Sequence, residues 1–401
     1  MSMLSGIRVV DFTQYLAGPT VTRLMAEMGA DVVKVEQAPG GDPSRLLPLR
    51  KGERSLYFVQ QNRGKKSLCV DFSKPEGAEL LVELAAGADV VVENYGPGVL
   101  EKRGISYESL CKRNPRLVMA SISAFGRTGP LAHKVGFDLI AQAFSGLMSM
   151  TGDPAGPPMW VGLAIADVQS GVHAFGAIGY ALFHRERTGQ GQYIDVSMVD
   201  ALYHCHEGNV QFYANSDGSL EPTRHGGQHG MAGPMGVYET PQGWIVLLVL
   251  DRQWESFCRA IERPELVNDP RFATGAARGA NKLELTAIIE RWLAAQGTTD
   301  AALAVFEKHR VAAAPVLTVK ETVTHPYFTA REMVRRVPDP VAGPVTIPGF
   351  PFKFGAMPRL PDLRAPLLGE HNAQVLRERL GLDARRISAL ESQGVLISGN
   401  S

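Results

Sequence analysis

The sequence predicts an α/β fold, with a large domain built on a Rossmann-like parallel sheet and a smaller mixed α/β domain. Three observations lead there. At 401 residues the chain exceeds one ordinary hydrophobic core. In its first half, short β-branched runs alternate with segments of helical period, the pattern of β-α-β units with helices on both sheet faces. Near residue 205 the composition shifts, and a glycine-rich polar stretch follows, 215–236.

The elements follow in order. "IRVVDF" (7–12) reads as a strand, and "GPTVTRLMAEMGA" (18–30) as a helix that stops at Gly29. "DVVKVE" (31–36) is the next strand. The unit repeats as "SLCVDF" (67–72), "PEGAELLVELAAGA" (75–88) and "DVVVEN" (89–94), and "RLVMASISAFG" (116–126) adds a strand. Ligands of such sheets sit at the carboxyl edge of the strands. "DFTQYLAGP", "VENYGPG" and "SAFGRTGP" therefore line one rim. "SGVHAFGAIGYALFHRERTGQG" (170–191) is a helix whose small residues let another backbone approach closely, and "YIDVSMVDALY" (193–203) turns from strand to helix. Beyond the glycine-rich stretch, "GVYETPQGWIVLLVL" (236–250) reads as a hairpin. Helices follow at 251–262, 282–296 and 299–311. The proline-rich segment 325–361 is expected to run extended, before a helical end.

Composition narrows the function. Apolar residues make up 45% and charged residues 20%, which is globular rather than disordered. Lys+Arg and Asp+Glu both total 41, so the balance makes no electrostatic case for nucleic acid or an anionic membrane. Cys69, Cys111, Cys205 and Cys258 are widely spaced, without CxxC pairs, which fits a reducing compartment. With neither a signal-peptide core nor a bilayer-length apolar run, the chain reads as soluble and cytoplasmic. The turn after the first strand is "TQYLAGP", not G-x-G-x-x-G, and no Walker motif occurs, so neither a nicotinamide nor a nucleoside triphosphate is indicated.

"GLAIADVQSG" (162–171) ends a small apolar run on Asp167, where a helical pattern begins. Aspartate there either caps the helix or does chemistry. A carboxylate at a helix start keeps its charge, as a nucleophile must.

In order, "VVDFTQYLAGP", "GADVVKVE", "NRGKKSLCVDF", "VVENYGPGVLEKRG", "AIADVQSG" and "ERTGQGQYIDVSM" resemble the class III CoA-transferases, also called the formyl-CoA transferase or CaiB/BaiF type. The resemblance implies a large domain made from both chain ends and an interlocked homodimer. Its boundaries are 1–204, a linker 205–224, a small domain 225–325, an extended linker 326–360 and a return 361–401. It implies that Asp167 is the covalent nucleophile for transfer of CoA from an acyl-CoA to a free acid. The substrate is the CoA thioester itself, and no metal or other cofactor is implied. CoA contacts fall on Gln14, Ala17, Lys65, Lys66, Leu68, Asn94, Lys102 and Arg103. Leu16, Phe137 and Asp138 are active-site neighbours. Arg224, His225, Gly226, Gly227, Gln228, His229 and Gly230 form a candidate lid that could offer positive charge to an acceptor carboxylate.

The family also holds α-methylacyl-CoA racemases, which pair the aspartate with a histidine. Here Phe137 stands at that position and cannot carry a proton, which favours transfer. His133 is a possible substitute, and His173 falls in the helix after Asp167. The formyl-CoA:oxalate type carries glutamine where this chain has Leu16, and four glycines where it has "HGGQHG". A different acceptor is expected, a small dicarboxylate such as succinate or a branched relative. The alternatives are a racemase or isomerase with Asp167 as base, and a non-catalytic CoA-binding homologue.

Overall fold

The computed structural model describes residues 2–230, 232–355 and 363–399. The end of the expected extended segment, 356–361, lies outside them. The chain divides into two compact units. The first takes in Met1–Ser145, Gly162–Glu207 and Pro326–Ser401; the second takes in Gly146–Val161 and Gly208–His325.

The first unit is built on six parallel strands. They are β1 (Arg8–Phe12), β2 (Asp31–Gln37), β3 (Lys66–Val70), β4 (Val90–Glu93), β5 (Val118–Ser123) and β6 (Tyr193–Ser197). Their order is β3-β2-β1-β4-β5-β6. Chain order therefore reverses between β1 and β4. At that point the loops leaving two neighbouring strands diverge and open a crevice. The strands are rich in valine because both faces are covered. Val10, Phe12, Val33, Val35, Val91 and Met119 share one core with α3 (Pro75–Ala86) and the closing helices α6 (Asn372–Leu380) and α7 (Ala384–Ser392).

On the other side, α1 (Ala17–Glu27) lies against α5 (Ile165–Thr188). Gly171 makes that contact possible. A Cβ there would sit 2.6 Å from the Ala17 carbonyl oxygen and 2.8 Å from Thr20 Cβ. Within the protomer, Gly171 is the glycine of this helix that meets close packing. Gly176 and Gly179 have nothing within 4 Å of a built Cβ.

The C-terminal return covers the sheet edge. The Asn372 side-chain oxygen accepts from Cys69 N at 2.9 Å, and Ser67 O accepts from His371 N at 3.0 Å. The exposed ladder of β3 is thus closed against further pairing. Part of the segment expected to be extended forms a hairpin of Val334–Val337 with Val345–Pro348.

The second unit has a three-stranded antiparallel sheet of Met235–Thr240, Gly243–Leu248 and Ala312–Pro315. Its core holds Trp254, Phe257, Phe272 and Phe306. The expected linker 205–224 contains a helix, Asn209–Ala214. No helix among the described residues is long and apolar enough to cross a membrane.

Candidate active site

A cavity of about 700 Å³ opens at the reversal point of the sheet. The loop after β1 contributes Gln14, Tyr15 and Leu16, and the loop after β4 contributes Asn94 to Pro97. Ile122 to Ala124 come from the end of β5, and 132–139 from the segment that leads into α4 (Asp138–Phe144). Tyr57, on α2 (Leu56–Asn62), and Asp167 complete the chemically active lining.

The two strand-end loops are stitched together. Gln14 N donates to the Asn94 side-chain oxygen at 2.8 Å, and Asn94 Nδ2 returns a bond to Gln14 O at 2.9 Å. Gln14 Nε2 also donates to the Tyr95 hydroxyl at 2.7 Å. Behind the first loop lies a buried charge cluster. Lys34 Nζ donates to Thr13 O at 2.7 Å and pairs with Asp42 at 2.8 Å, while Asp11 accepts from Thr13 N, Thr22 and Lys65. These charges are buried but mutually satisfied, the condition under which buried ions are tolerated. The cluster holds Tyr15 at φ 61, a left-handed conformation that costs a non-glycine residue strain.

Asp167 is the third residue of α5, since the helix begins at Ile165 with Ala164 as its N-cap. It is therefore not the cap that aspartate at a helix start suggests. Asp138 takes that role from another helix. Its Oδ1 accepts from Ala166 N at 2.7 Å and from Asp167 N at 3.3 Å. The Asp167 carboxylate itself has no side-chain hydrogen bond among the described residues. Burial, followed by the negative charge of Asp138, pushes its pKa up to about 7. The helix start favours the charged form, but desolvation outweighs it, so the sequence expectation of a plainly ionised group is revised. Burial pushes the Tyr57 hydroxyl to about 12, and the charge of Asp167 adds to the shift.

Other expected site residues fall in different places. Gln14, Leu16, Asn94, Phe137, Asp138 and Asp167 line the cavity, and so does His133. Ala17 is buried at the first turn of α1. Leu68 is fully buried in β3. Lys65 is enclosed, with its ammonium held by Asp11 and Asn62 at 2.9 Å. A phosphate contact there would require opening a buried ion pair, at a cost of several kcal/mol per ion, roughly. Lys66 is partly exposed and pairs with Asp31 at 3.0 Å. Lys102 is exposed. The Arg103 guanidinium donates to the carbonyls of Phe72 and Val99. His173 Nδ1 meets Gln169 O at 2.8 Å, and its ring packs edge-on against His204.

The stretch Arg224–Gly230 belongs to the second unit and is pinned there. Arg224 donates to the carbonyls of Asp153 and Gly156, Gly226 N to Gly152 O, and the Gln228 side chain to Val237 O. The Arg224 guanidinium expected to meet an acceptor carboxylate is thus bonded to backbone. Tyr57 and Tyr95 escaped the sequence reading. "SLYFVQQ" carries no motif, and only the carboxyl-edge argument pointed towards Tyr95.

The chain is similar to known proteins over nearly its whole length. The sequence model described as CoA-transferase family III matches residues 4–372. A succinyl-CoA:mesaconate CoA-transferase of Haloarcula hispanica is 41% identical, covering 97% of this chain and all of that protein, 100%. A succinyl-CoA:glutarate CoA-transferase of Mus musculus is 34% identical over 99% of this chain and 91% of its own length. The crystal structure of a CAIB/BAIF family protein from Brucella suis superposes with a TM-score of 0.82 at 36% identity, covering 94% of this chain and 99% of that one.

Proposed function

The chain belongs to CoA-transferase family III and is a CoA-transferase, and from that premise we propose that it moves CoA between small dicarboxylic acids through a covalent intermediate on Asp167. The observation that carries the reading is Asp167 itself: a carboxylate without a side-chain hydrogen bond among the described residues, facing a cavity at the carboxyl edge of a parallel sheet.

The chemistry closes without any cofactor beyond the thioester. The Asp167 carboxylate attacks the thioester carbonyl of the donor, forming a mixed anhydride and releasing CoA thiolate. The thiolate attacks the aspartyl carbonyl, which forms an aspartyl-CoA thioester and frees the donor acid. The acceptor carboxylate attacks that thioester, regenerating thiolate and a new anhydride. Thiolate attack on the acceptor's acyl carbon then releases the product and restores Asp167. No proton is gained or lost overall. Both intermediates hydrolyse readily, so water must be excluded.

Dicarboxylate acceptors are supported by the relatives named for succinyl, mesaconyl and glutaryl transfer. The CoA is proposed to run over Gln14 and Asn94. Lys66, Lys102 and Arg103 are proposed to attract its phosphates from the rim. A homodimer, interlocked as in the family, is supported by one face of α5. Val168, Val172, Tyr180 and Phe183 are exposed there, between glycines with open space above them. The cysteine spacing supports a cytoplasmic setting.

A second reading rests on His133, which shares the cavity lining with Asp167. The two could exchange an α-proton without a covalent step. A panel of succinyl-, glutaryl- and mesaconyl-CoA crossed with their free acids and oxalate tests both. Transfer is expected for at least one pair, and Asp167→Ala should lower it by about a thousandfold or more. Undiminished transfer by Asp167→Ala would remove the covalent reading. Deuterium wash-in at the α-carbon without transfer would establish the second.

A further inference from the structure

α5 begins without a cap of its own. Ala164 stands at the N-cap and offers no side-chain bond, so the first N–H groups must find acceptors elsewhere. They find Asp138. One oxygen of this carboxylate accepts from Ala166 N at 2.7 Å and from Asp167 N at 3.3 Å. The other oxygen accepts from Gln142 Nε2 at 2.7 Å. The same Gln142 amide donates to Leu163 O at 3.1 Å, just before the helix. Asp138 and Gln142 lie one turn apart on α4, and both are buried. Two side chains of one short helix therefore fix the carbonyl entering α5, its first turn, and the backbone of the residue that carries the reactive carboxylate.

We propose that Asp138 is a positioning residue: its carboxylate clamps the backbone of Asp167 through the amide and sets a second negative charge beside the reactive one. This rests on the reading of Asp167 as nucleophile. The clamp and the charge act on different observables. The clamp sets where the attacking oxygens lie, and an error there of about an ångström can cost a hundredfold in rate. The charge raises the pH at which Asp167 ionises, because two nearby carboxylates resist carrying charge together. Burial is the larger cause of the rise of Asp167 to about 7, and the Asp138 charge adds to it.

The other ionisable groups on the cavity lining are Tyr15, Tyr57, Tyr95, His133 and Lys134. Burial holds Tyr57 and Tyr95 near 12, far from the limb in question. His133 is the one imidazole on that lining, so its part is separated by substitution.

Asp138→Asn, Asp138→Ala and His133→Asn separate these effects. Asparagine keeps an oxygen for the two N–H bonds, removes the charge and gives up only the bond from Gln142; alanine removes the charge and all three bonds. The measurements are the pH profile of kcat/KM for CoA transfer and hydrogen exchange at the Ala166 and Asp167 amides. In wild type the rate should rise with pH through a limb near 7. Asp138→Asn should move that limb about one pH unit or more towards acid while keeping both amides protected. Asp138→Ala should lose the protection and lower the high-pH plateau about tenfold or more. In His133→Asn the limb should stay. A limb unmoved in Asp138→Asn, or one that vanishes in His133→Asn, would overturn the proposal. So would full protection and a wild-type plateau in Asp138→Ala. Trapping of the wild-type adduct with hydroxylamine keeps the two readings apart. A missing adduct removes Asp167 as nucleophile, whereas the exchange data judge the clamp on their own.

Discussion

Asp167 is held in a state its surroundings do not favour. Its carboxyl titrates near 7 instead of the ordinary 3.8. The unfolded chain therefore releases this proton first as pH rises. The contribution to stability is fully present below 3.8 and is lost as pH climbs through 7. Asp167→Asn removes that loss. Urea midpoints should show the variant ahead of wild type at pH 8, with the gap shrinking towards pH 4; an equal gap at both ends would contradict the shift. Activity and stability are traded at one side chain, as is common where a reactive group is desolvated. The residue type and its place near a helix start were legible in the sequence. Its protonation was not, because burial shifts it most and Asp138, 29 residues earlier in the chain, adds to the shift, and both arise only on folding.

At the scale of elements, α5 does two jobs with its small residues. Gly171 lets α1 approach, whereas Gly176 and Gly179 face open space. Gly171→Val should destabilise the protein by about 1–3 kcal/mol, since the new side chain meets the Ala17 carbonyl. Gly176→Ala adds a Cβ where nothing lies within 4 Å and should cost nothing within the protomer. Chemical denaturation compares the two, and equal effects would refute the assignment of Gly171 to the α1 contact. The runs that became β1 to β5 were readable because strands covered on both faces read as short apolar runs rather than alternating ones. The start of α5 was misjudged for a physical reason. Its cap comes from α4, so no capping residue marks Ile165 in the local sequence. Arg224 failed similarly. Its partners Asp153 and Gly156 lie some seventy residues upstream, and nothing near Arg224 announces them.

For the whole molecule, strand order decides where the chemistry sits. Reversal between β1 and β4 aligns the loops bearing Gln14 and Asn94, and their reciprocal bonds form the floor of the cavity. The alternation of strands and helices predicted that rim. The sequence carries no direct sign of strand order, so the pairing of those two loops emerged only in three dimensions. Assembly belongs to this scale too. If the apolar face of α5 meets a second copy, Tyr180→Asp with Phe183→Asp should yield monomers by light scattering. An unchanged mass would show that this face lies outside the contact.

The covalent account makes one demand that no general-base mechanism shares. When an acceptor acid labelled with heavy oxygen attacks the aspartyl thioester, a labelled oxygen becomes the bridge of the anhydride. Thiolate attack on the acceptor's acyl carbon then leaves that oxygen on Asp167. Mass spectrometry of the Asp167 peptide after turnover with succinyl-CoA and labelled glutarate or mesaconate should find heavy oxygen in its carboxylate. Product acyl-CoA formed while that peptide stays unlabelled would contradict the account.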